Sequence, residues 1–495
     1  MASVFLERDI NINLYGNIEP VDIDTIVAQA TAVGIGGVGI IRISGNKSQV
    51  LAICEKILHA QLKPRYAYYG NFYNTKNNIL DKGIALYFNA PNSYTGEDVL
   101  ELHCHGGPVV IDLIIKQVLF YGARLAEPGE FTKRAWLNGK MDLAQIEAVS
   151  DLINATSEQA AVAAANTLVG NFSELINSFL NKLIFLRTYV EASIDFSDEQ
   201  IDFMALGEVK TKITDLKQKL QNIITNTTHG VILQEGIEIV IAGKPNAGKS
   251  SLLNALSRSE EAIVTDIPGT TRDLIRAKLN IKGVPVILTD TAGIRNSSET
   301  SDTIEQEGIN RAVKAIEKAN FLLIIIDGSL EENKSLIQKI VNDNNTYITS
   351  DEIRQFVINN LGCSINITEN KFLLLINKID KLDKLDKLNK NHNKNIMLIS
   401  AKNSFGINAL EEEILNKIGY SQTGEGKFIA RRRHLESLIR VEQCLDSSLN
   451  LFDHGKLDLI AEELRSAQDF LAEITGEYSS DDLLGNIFSS FCIGK

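Results

Sequence analysis

A chain of 495 residues is too long for one hydrophobic core and implies about three domains. Its 44% hydrophobic content is ordinary for a globular protein, and its formal net charge of −13 argues against a general nucleic-acid coat, because nonspecific binding to nucleic acid is driven by counterion release at basic surfaces. No apolar run approaches the roughly 20 residues of a membrane span, no apolar signal core follows a basic start, and the five cysteines (Cys54, Cys104, Cys363, Cys444 and Cys492) lack CxxC spacing, so a cytoplasmic protein with reduced thiols and no membrane partner is expected.

Residues 1–138 mix short β-like runs with turn signals, as in Gly37 to Gly45 and Val99 to Gly107, and predict a compact α+β domain. Within it, His103 and His105 flank Cys104 and share a strand face, but two histidines without further ligands make a weak metal site. Residues 139–235 change to helical periodicity, with Leu175, Phe179, Leu183, Leu186 and Val190 on one stripe. Residues 236–424 read as an α/β domain, and the helical character returns over 425–495. The α/β segment is therefore inserted in a helical domain whose halves must meet to bury their stripes. In the second half, Arg431-Arg432-Arg433-His434 is a compact basic cluster and reads as the solvated start of a helix. Asn342 to Asn370 and the Lys/Asn-rich stretch after Asp380 carry no motif and read as solvated surface.

Four separated segments of the inserted domain specify a site for guanine nucleotide with magnesium. Gly243 to Ser250, GKPNAGKS, follows the apolar run Ile237 to Ala242 and precedes a helix-compatible stretch starting at Ser251. This is strand, phosphate loop and helix: the backbone N–H groups of Asn246, Ala247 and Gly248 curl around phosphates, Lys249 supplies a point charge, and the Ser250 hydroxyl ligates Mg²⁺. Asp290-Thr291-Ala292-Gly293 ends the strand Val284 to Thr289, so that Asp290 reaches the magnesium shell and the Gly293 N–H faces the γ-phosphate. In Asn377-Lys378-Ile379-Asp380 the Asp380 carboxylate can accept both the ring N–H and the exocyclic amino group of guanine, a pattern adenine cannot offer, and Asn377 complements the other edge. Ser400-Ala401-Lys402 after Ile396 to Ile399 completes the base pocket.

Between the first two motifs lies Thr265-Asp266-Ile267-Pro268-Gly269-Thr270-Thr271, where Thr271 is the candidate sensor that ligates Mg²⁺ only while a γ-phosphate holds the loop down. After Gly293 stands Ile294, where Ras-type enzymes carry the glutamine that orients attacking water. Water must be positioned from elsewhere, with Glu299, Asp302, Glu305 and Glu307 as the nearby acidic candidates, and the missing charge must come from a partner, a second protomer or an ion.

The whole pattern resembles the MnmE (TrmE) family of tRNA uridine-modifying GTPases over nearly all 495 residues. The marks are Phe491-Cys492-Ile493-Gly494-Lys495 with the preceding SDDLLG, the TDIPGTTRD loop, and the DTIVAQAT and TGEDVLELHCHGG segments. The resemblance implies a multidomain α+β and α/β protein: an N-terminal folate-binding and dimerisation domain, then a helical domain with an inserted Ras-like P-loop GTPase domain. It implies a potassium-stimulated GTPase whose G domains pair face to face, with K⁺ on Asn246, Thr265, Ile267 and Thr270. Glu305 is then the water-orienting residue, and with Lys249 and Thr271 forms the catalytic set.

By the same likeness Arg42, Glu101, Lys140 and Lys495 bind 5-formyl- or 5,10-methylene-tetrahydrofolate. The implied partners are a second copy of the chain, tRNA, and the FAD/NADH-dependent protein MnmG in a heterotetramer. The implied reaction is addition of an aminomethyl or carboxymethylaminomethyl group to C5 of the wobble uridine. No GxGxxG opens a dinucleotide-binding unit, so redox chemistry belongs to the partner. An alternative of another class is a ribosome-assembly switch resembling Era or Der, although no GxxG-type RNA-binding segment follows the GTPase domain. Membrane ion transport fails for want of spans.

Overall fold

The computed structural model describes residues 24–195, 205–258, 276–290, 314–316, 318–333, 355, 371–382, 395–420, 428–476, 487–488, 491 and 494. The chain forms two compact units, Met1–Ile146 with Ser479–Lys495, and Glu147–Tyr478.

The first unit is built on a six-stranded sheet in the order β3-β4-β5-β2-β1-β6. Its strands are β1 (Ile26–Gln29), β2 (Gly36–Gly45), β3 (Tyr68–Tyr73), β4 (Ile79–Phe88), β5 (Asp98–Gly106) and β6 (Arg124–Leu125). Only β1 and β6 pair in parallel; the other pairs are antiparallel. The alternation in β2 and β5 decides the faces. Ile41, Ile43, Leu100 and Leu102 point into a core completed by Val50, Ile53 and Ile57 of α1 (Lys47–Leu58) and Ile111, Ile114 and Val118 of α2 (Pro108–Phe120). The opposite face is partly covered by Phe131 of α3 (Glu130–Leu137), packed on Ile26 and Ala28. The chain end returns to this unit. A Cβ at Gly494, whose φ is +102°, would fall 2.0 Å from the Gln29 carbonyl oxygen, so only glycine permits the approach.

The second unit combines helices with a second six-stranded sheet in the order β12-β11-β10-β7-β9-β8. The strands are β7 (Ile237–Ala242), β8 (Arg276–Ile281), β9 (Val284–Asp290), β10 (Phe321–Asp327), β11 (Phe372–Asn377) and β12 (Ile396–Leu398). All neighbours run parallel except the β8–β9 hairpin. Because both faces are covered, β10 and β11 are continuous apolar runs, with every residue buried. Ile239, Ile241, Leu323 and Leu375 face one core, and Val240, Ala242, Ile324 and Ile376 face the other.

Helices α4 (Leu143–Ile153), which begins in the first unit, α5 (Glu158–Leu168), α6 (Asn171–Asp195) and α7 (Ala205–Glu235) precede this sheet. Between β7 and β8 lies α8 (Lys249–Arg258); α9 (Ile407–Lys417), α10 (Arg432–Phe452) and α11 (Leu457–Thr475) follow β12. On the stripe of α6, Phe179, Leu183, Leu186 and Val190 are buried, while Leu175 is half-buried. The two helical stretches do meet: Lys210 of α7 pairs with Asp453 at 2.6 Å, and Arg187 of α6 donates to Gln468 of α11 at 2.6 Å. Ala163 and Ala164 of α5 and Leu233 of α7 belong to the same core as Val286 and Leu288 of β9, so helices and sheet share one interior.

The basic cluster at the start of α10 is not solvated as expected. Arg433 donates through Nε and Nη2 to both oxygens of Glu147 at 2.9 Å, Arg431 donates to Asp151 at 3.1 Å, and His434 is 1% exposed. The Arg431 backbone N–H donates to His434 Nδ1 at 3.1 Å, which leaves the ring proton on Nε2, 3.0 Å from Glu147 Oε2. Burial first, and then Arg433, lower the His434 pKa to about 4, so the ring is neutral at physiological pH. Burial pushes Glu147 up, but the groups it faces, the Arg433 guanidinium and His434, outweigh that and hold it well below the ordinary carboxylate range. Only Arg432 is the solvated residue expected, and even it pairs with Glu235 at 2.7 Å.

Candidate guanine-nucleotide site

The loops that follow β7, β11 and β12 leave the carboxyl edge of the parallel sheet, where β9 also ends and where open α/β sheets hold ligands. Register brings the motifs together: Ile241 of β7 lies opposite Asp290 of β9, and Asp327 of β10 lies opposite Asn377 of β11.

The phosphate loop is held by the base-recognition loop. Asn377, 2% exposed, donates from Nδ2 to the Ala247 carbonyl at 2.9 Å and accepts the Ala401 N–H on Oδ1 at 3.0 Å. One amide thus fixes the phosphate loop and the Ser400–Lys402 loop at once. Lys378 donates from Nζ to the Asn246 carbonyl at 2.7 Å and to Asp327 Oδ2 at 2.6 Å. Gly248 sits at φ +104°, and a Cβ there would lie 2.2 Å from Asn377 Nδ2; the glycine is what lets the two loops touch. Asp380 is half-buried, and its Oδ1 accepts the Ser400 hydroxyl at 2.6 Å, which orients the carboxylate for a pair of N–H donors. Lys249 is buried beneath the loop and donates to the carbonyls of Gly243 at 2.8 Å and Lys244 at 3.0 Å. Ser250 and Ser251 are exposed in the first turn of α8, and Lys402 is exposed.

The expected switch residues Thr265, Asp266, Ile267, Pro268, Gly269, Thr270 and Thr271, together with Thr291, Ala292, Gly293, Ile294 and Glu305, lie outside the described residues, as do Cys492, Lys495 and most of the two motif-free stretches. Asp327 was not singled out from the sequence. The signal that marks it is an Asp-Gly pair ending the apolar run Phe321 to Ile326 beside the guanine motif.

In the first unit Arg42 and Glu101 face each other across β2 and β5 and form an ion pair at 2.9 Å. The Arg42 guanidinium lies 5.2 Å from the Tyr94 ring and 5.9 Å from the Phe131 ring, while Glu101 Oε2 is 3.3 Å from His103 Nε2. Lys140 is exposed and donates to the Pro91 carbonyl at 3.0 Å, on the loop that also carries Tyr94. His105 is 73% exposed and pairs with Asp81 at 2.8 Å. Among the described residues no group of three or more His, Cys, Asp or Glu side chains is arranged for a metal, and no helix is long and apolar enough to cross a membrane.

Residues 143–492 match the model of the MnmE helical domain, and residues 25–140 match that of the GTP-binding protein TrmE N-terminus. The tRNA modification GTPase MnmE of Pasteurella multocida is 46% identical over 476 residues, covering 95% of this chain and 100% of that one. The MnmE of Francisella tularensis is 47% identical over 475 residues, covering 95% and 99%. A solved structure of Era from Aquifex aeolicus is 23% identical, covers 42% of this chain and 66% of that chain, and gives a TM-score of 0.24. With relatives this similar matched from end to end, the chain belongs to the MnmE family of tRNA modification GTPases.

Proposed function

We propose that this GTPase is stimulated by potassium and couples GTP turnover to installing an aminomethyl or carboxymethylaminomethyl group on C5 of the wobble uridine of certain tRNAs, in the cytoplasm. Its domains are 1–138, for folate binding and dimerisation, a helical domain from 139–235 and 425–495, and the inserted GTPase domain 236–424. The protein works as a homodimer joined to the FAD/NADH-dependent protein MnmG. The observation that carries the GTPase half is the pair of bonds from Asn377 to Ala247 and Ala401, which makes base recognition and phosphate binding one framework.

The family resemblance assigns each residue a part, and its chemistry suits that part. Asp380, held by Ser400, accepts the two N–H donors of guanine. Lys249, placed under the loop by its bonds to the carbonyls of Gly243 and Lys244, supplies charge to the β- and γ-phosphates. Ser250 at the start of α8 and Thr271 are the Mg²⁺ ligands, and Asn246, Thr265, Ile267 and Thr270 hold K⁺. Of these donors the described ones are accessible: Ser250 is exposed in the first turn of the helix and Asn246 is exposed on the phosphate loop. When bound, these cations offset charge that develops as the γ-phosphoryl group departs. Asp290 orients the magnesium shell, and Glu305 orients the attacking water. Arg42, Glu101, Lys140 and Lys495 bind tetrahydrofolate, which supplies the one-carbon unit. The Glu101 carboxylate suits adjacent N–H donors of a pterin, and its 2.9 Å bond from Arg42 Nε orients it on the strand face.

Two measurements test this. GTP turnover should be much faster in potassium than in sodium at equal ionic strength; equal rates remove the cation. Nucleoside mass spectrometry of tRNA from cells lacking the protein should show loss of the wobble modification; unchanged uridines would favour a ribosome-assembly switch.

A further inference from the structure

The turn after β10 ties the guanine pocket to the phosphate loop through one carboxylate. Asp327, 8% exposed, accepts Lys378 Nζ on Oδ2 at 2.6 Å, and its Oδ1 accepts the Ser329 backbone N–H at 2.9 Å and the Ser329 hydroxyl at 2.6 Å. The Asp327 carbonyl accepts Asn333 Nδ2 at 2.8 Å, and the next residue, Gly328, donates its N–H to the Asn377 carbonyl at 2.8 Å. Both carboxylate oxygens and the backbone around them are therefore fixed. Burial alone would raise the Asp327 pKa, but the bonds from Lys378 and Ser329 outweigh it and hold the group below its ordinary value, so the carboxylate is ionised at neutral pH.

What the pair holds is unusual. Lys378 and Asn246 both adopt left-handed backbone conformations, at φ 63° and 61°, and the Lys378 ammonium bonds the Asn246 carbonyl. A left-handed non-glycine residue persists where its surroundings over-determine it. Asp327 is the only carboxylate paired with Lys378 among the described residues.

We propose that Asp327 is a positioning residue for GTP hydrolysis: by anchoring Lys378 on the Asn246 carbonyl it fixes the backbone of Asn246 and thereby aims that side chain at the monovalent cation. This rests on the assignment of K⁺ to Asn246 above. A plain structural staple for the β10–β11 edge would instead affect stability and leave ion dependence alone.

The test uses the full-length protein and GTP turnover against potassium concentration at constant ionic strength, with thermal melting alongside. Asp327→Asn keeps the shape and removes the charge; it should raise the potassium needed for half-maximal turnover about fivefold or more, as for one weakened charged hydrogen bond, and leave the turnover at saturating potassium within about twofold. Ser329→Ala should move it in the same direction by less, and decides the matter if Asp327→Asn does not fold. Asp327→Glu should recover part of the shift. Folded variants with an unshifted potassium requirement overturn the inference while leaving the potassium reading intact; wild-type protein indifferent to potassium overturns both.

Discussion

In the parallel sheet the residues of the site sit beyond the strand ends, on loops tied to one another by hydrogen bonds, whereas in the mixed sheet Arg42 and Glu101 project from mid-strand onto a face. The loops use consecutive residues because backbone N–H groups must wrap a phosphate. The face uses single residues, one per strand, because alternate residues share a side. The same contrast holds for the buried charges. Glu147 in the second unit is 2% exposed and accepts a bidentate arginine, while the side chain of Glu101 in the first is 15% exposed and is bonded by Arg42 through Nε. A locked carboxylate at Glu147 and an accessible one at Glu101 lead to unequal costs on truncation.

The largest effect should come from Glu147→Ala, which takes the carboxylate from Arg433 beside a buried neutral histidine, while Arg431 keeps Asp151. Removing one partner of a buried pair costs about 3–5 kcal/mol, read as a shift in the chemical denaturation midpoint followed by circular dichroism of the helices. A cost no greater than that of Glu101→Ala would break the contrast. Next comes Asp380→Asn, which replaces an acceptor of guanine N–H groups by an amide that opposes one of them. GDP affinity should fall by about 3 kcal/mol, roughly a hundredfold, with a gain for xanthosine diphosphate. Equal titration curves for both nucleotides in wild type and variant would remove Asp380 from base recognition.

The contrast also explains what could be read in the sequence. The strand Ile237–Ala242, the phosphate loop and the Asn377–Asp380 and Ser400–Lys402 segments are contiguous, so spacing alone marks them and the structure brings their described residues together. Asp327 is a single residue: the Asp-Gly pair marks the end of its strand, but its pairing with Lys378 depends on strand register, which local sequence does not carry. Arg433 was read as solvated because its partner Glu147 lies 286 positions earlier, beyond the reach of helical periodicity. Arg42 and Glu101 are 59 positions apart and were named through family resemblance; the antiparallel register is what supplies their pairing.

On the accessible face, Glu101→Ala should weaken binding of 5-formyltetrahydrofolate by about 1–3 kcal/mol, the range for one lost charged hydrogen bond. GTP turnover should be unaffected. Titration calorimetry on the intact protein checks it, and binding indifferent to both Glu101→Ala and Arg42→Ala would withdraw the folate assignment while leaving the GTPase untouched.

The smallest effect tests the first unit's own ion network, where Glu130 accepts Arg124 at 2.6 Å and Arg134 at 2.9 Å. Burial raises the Glu130 pKa, but Arg124, the Glu127 N–H and Arg134 together lower it from 4.5 to about 2. A carboxyl depressed in the folded state contributes stability above its unfolded pKa, and that contribution is lost as pH falls through the window between 4.5 and about 2. Arg124 is 43% exposed, so solvent screening reduces the contribution to about 1 kcal/mol. The single tryptophan, Trp136, lies in α3 with Glu130 and reports this unit by its fluorescence. The urea midpoint of the tryptophan transition should fall more between pH 5 and pH 3 (about the upper half of the titration) in wild type than in Glu130→Gln. Parallel losses in the two proteins would mean that Glu130 is paired no better in the folded state than in the unfolded one, and that its pairs with Arg124 and Arg134 are as weak as isolated surface salt bridges.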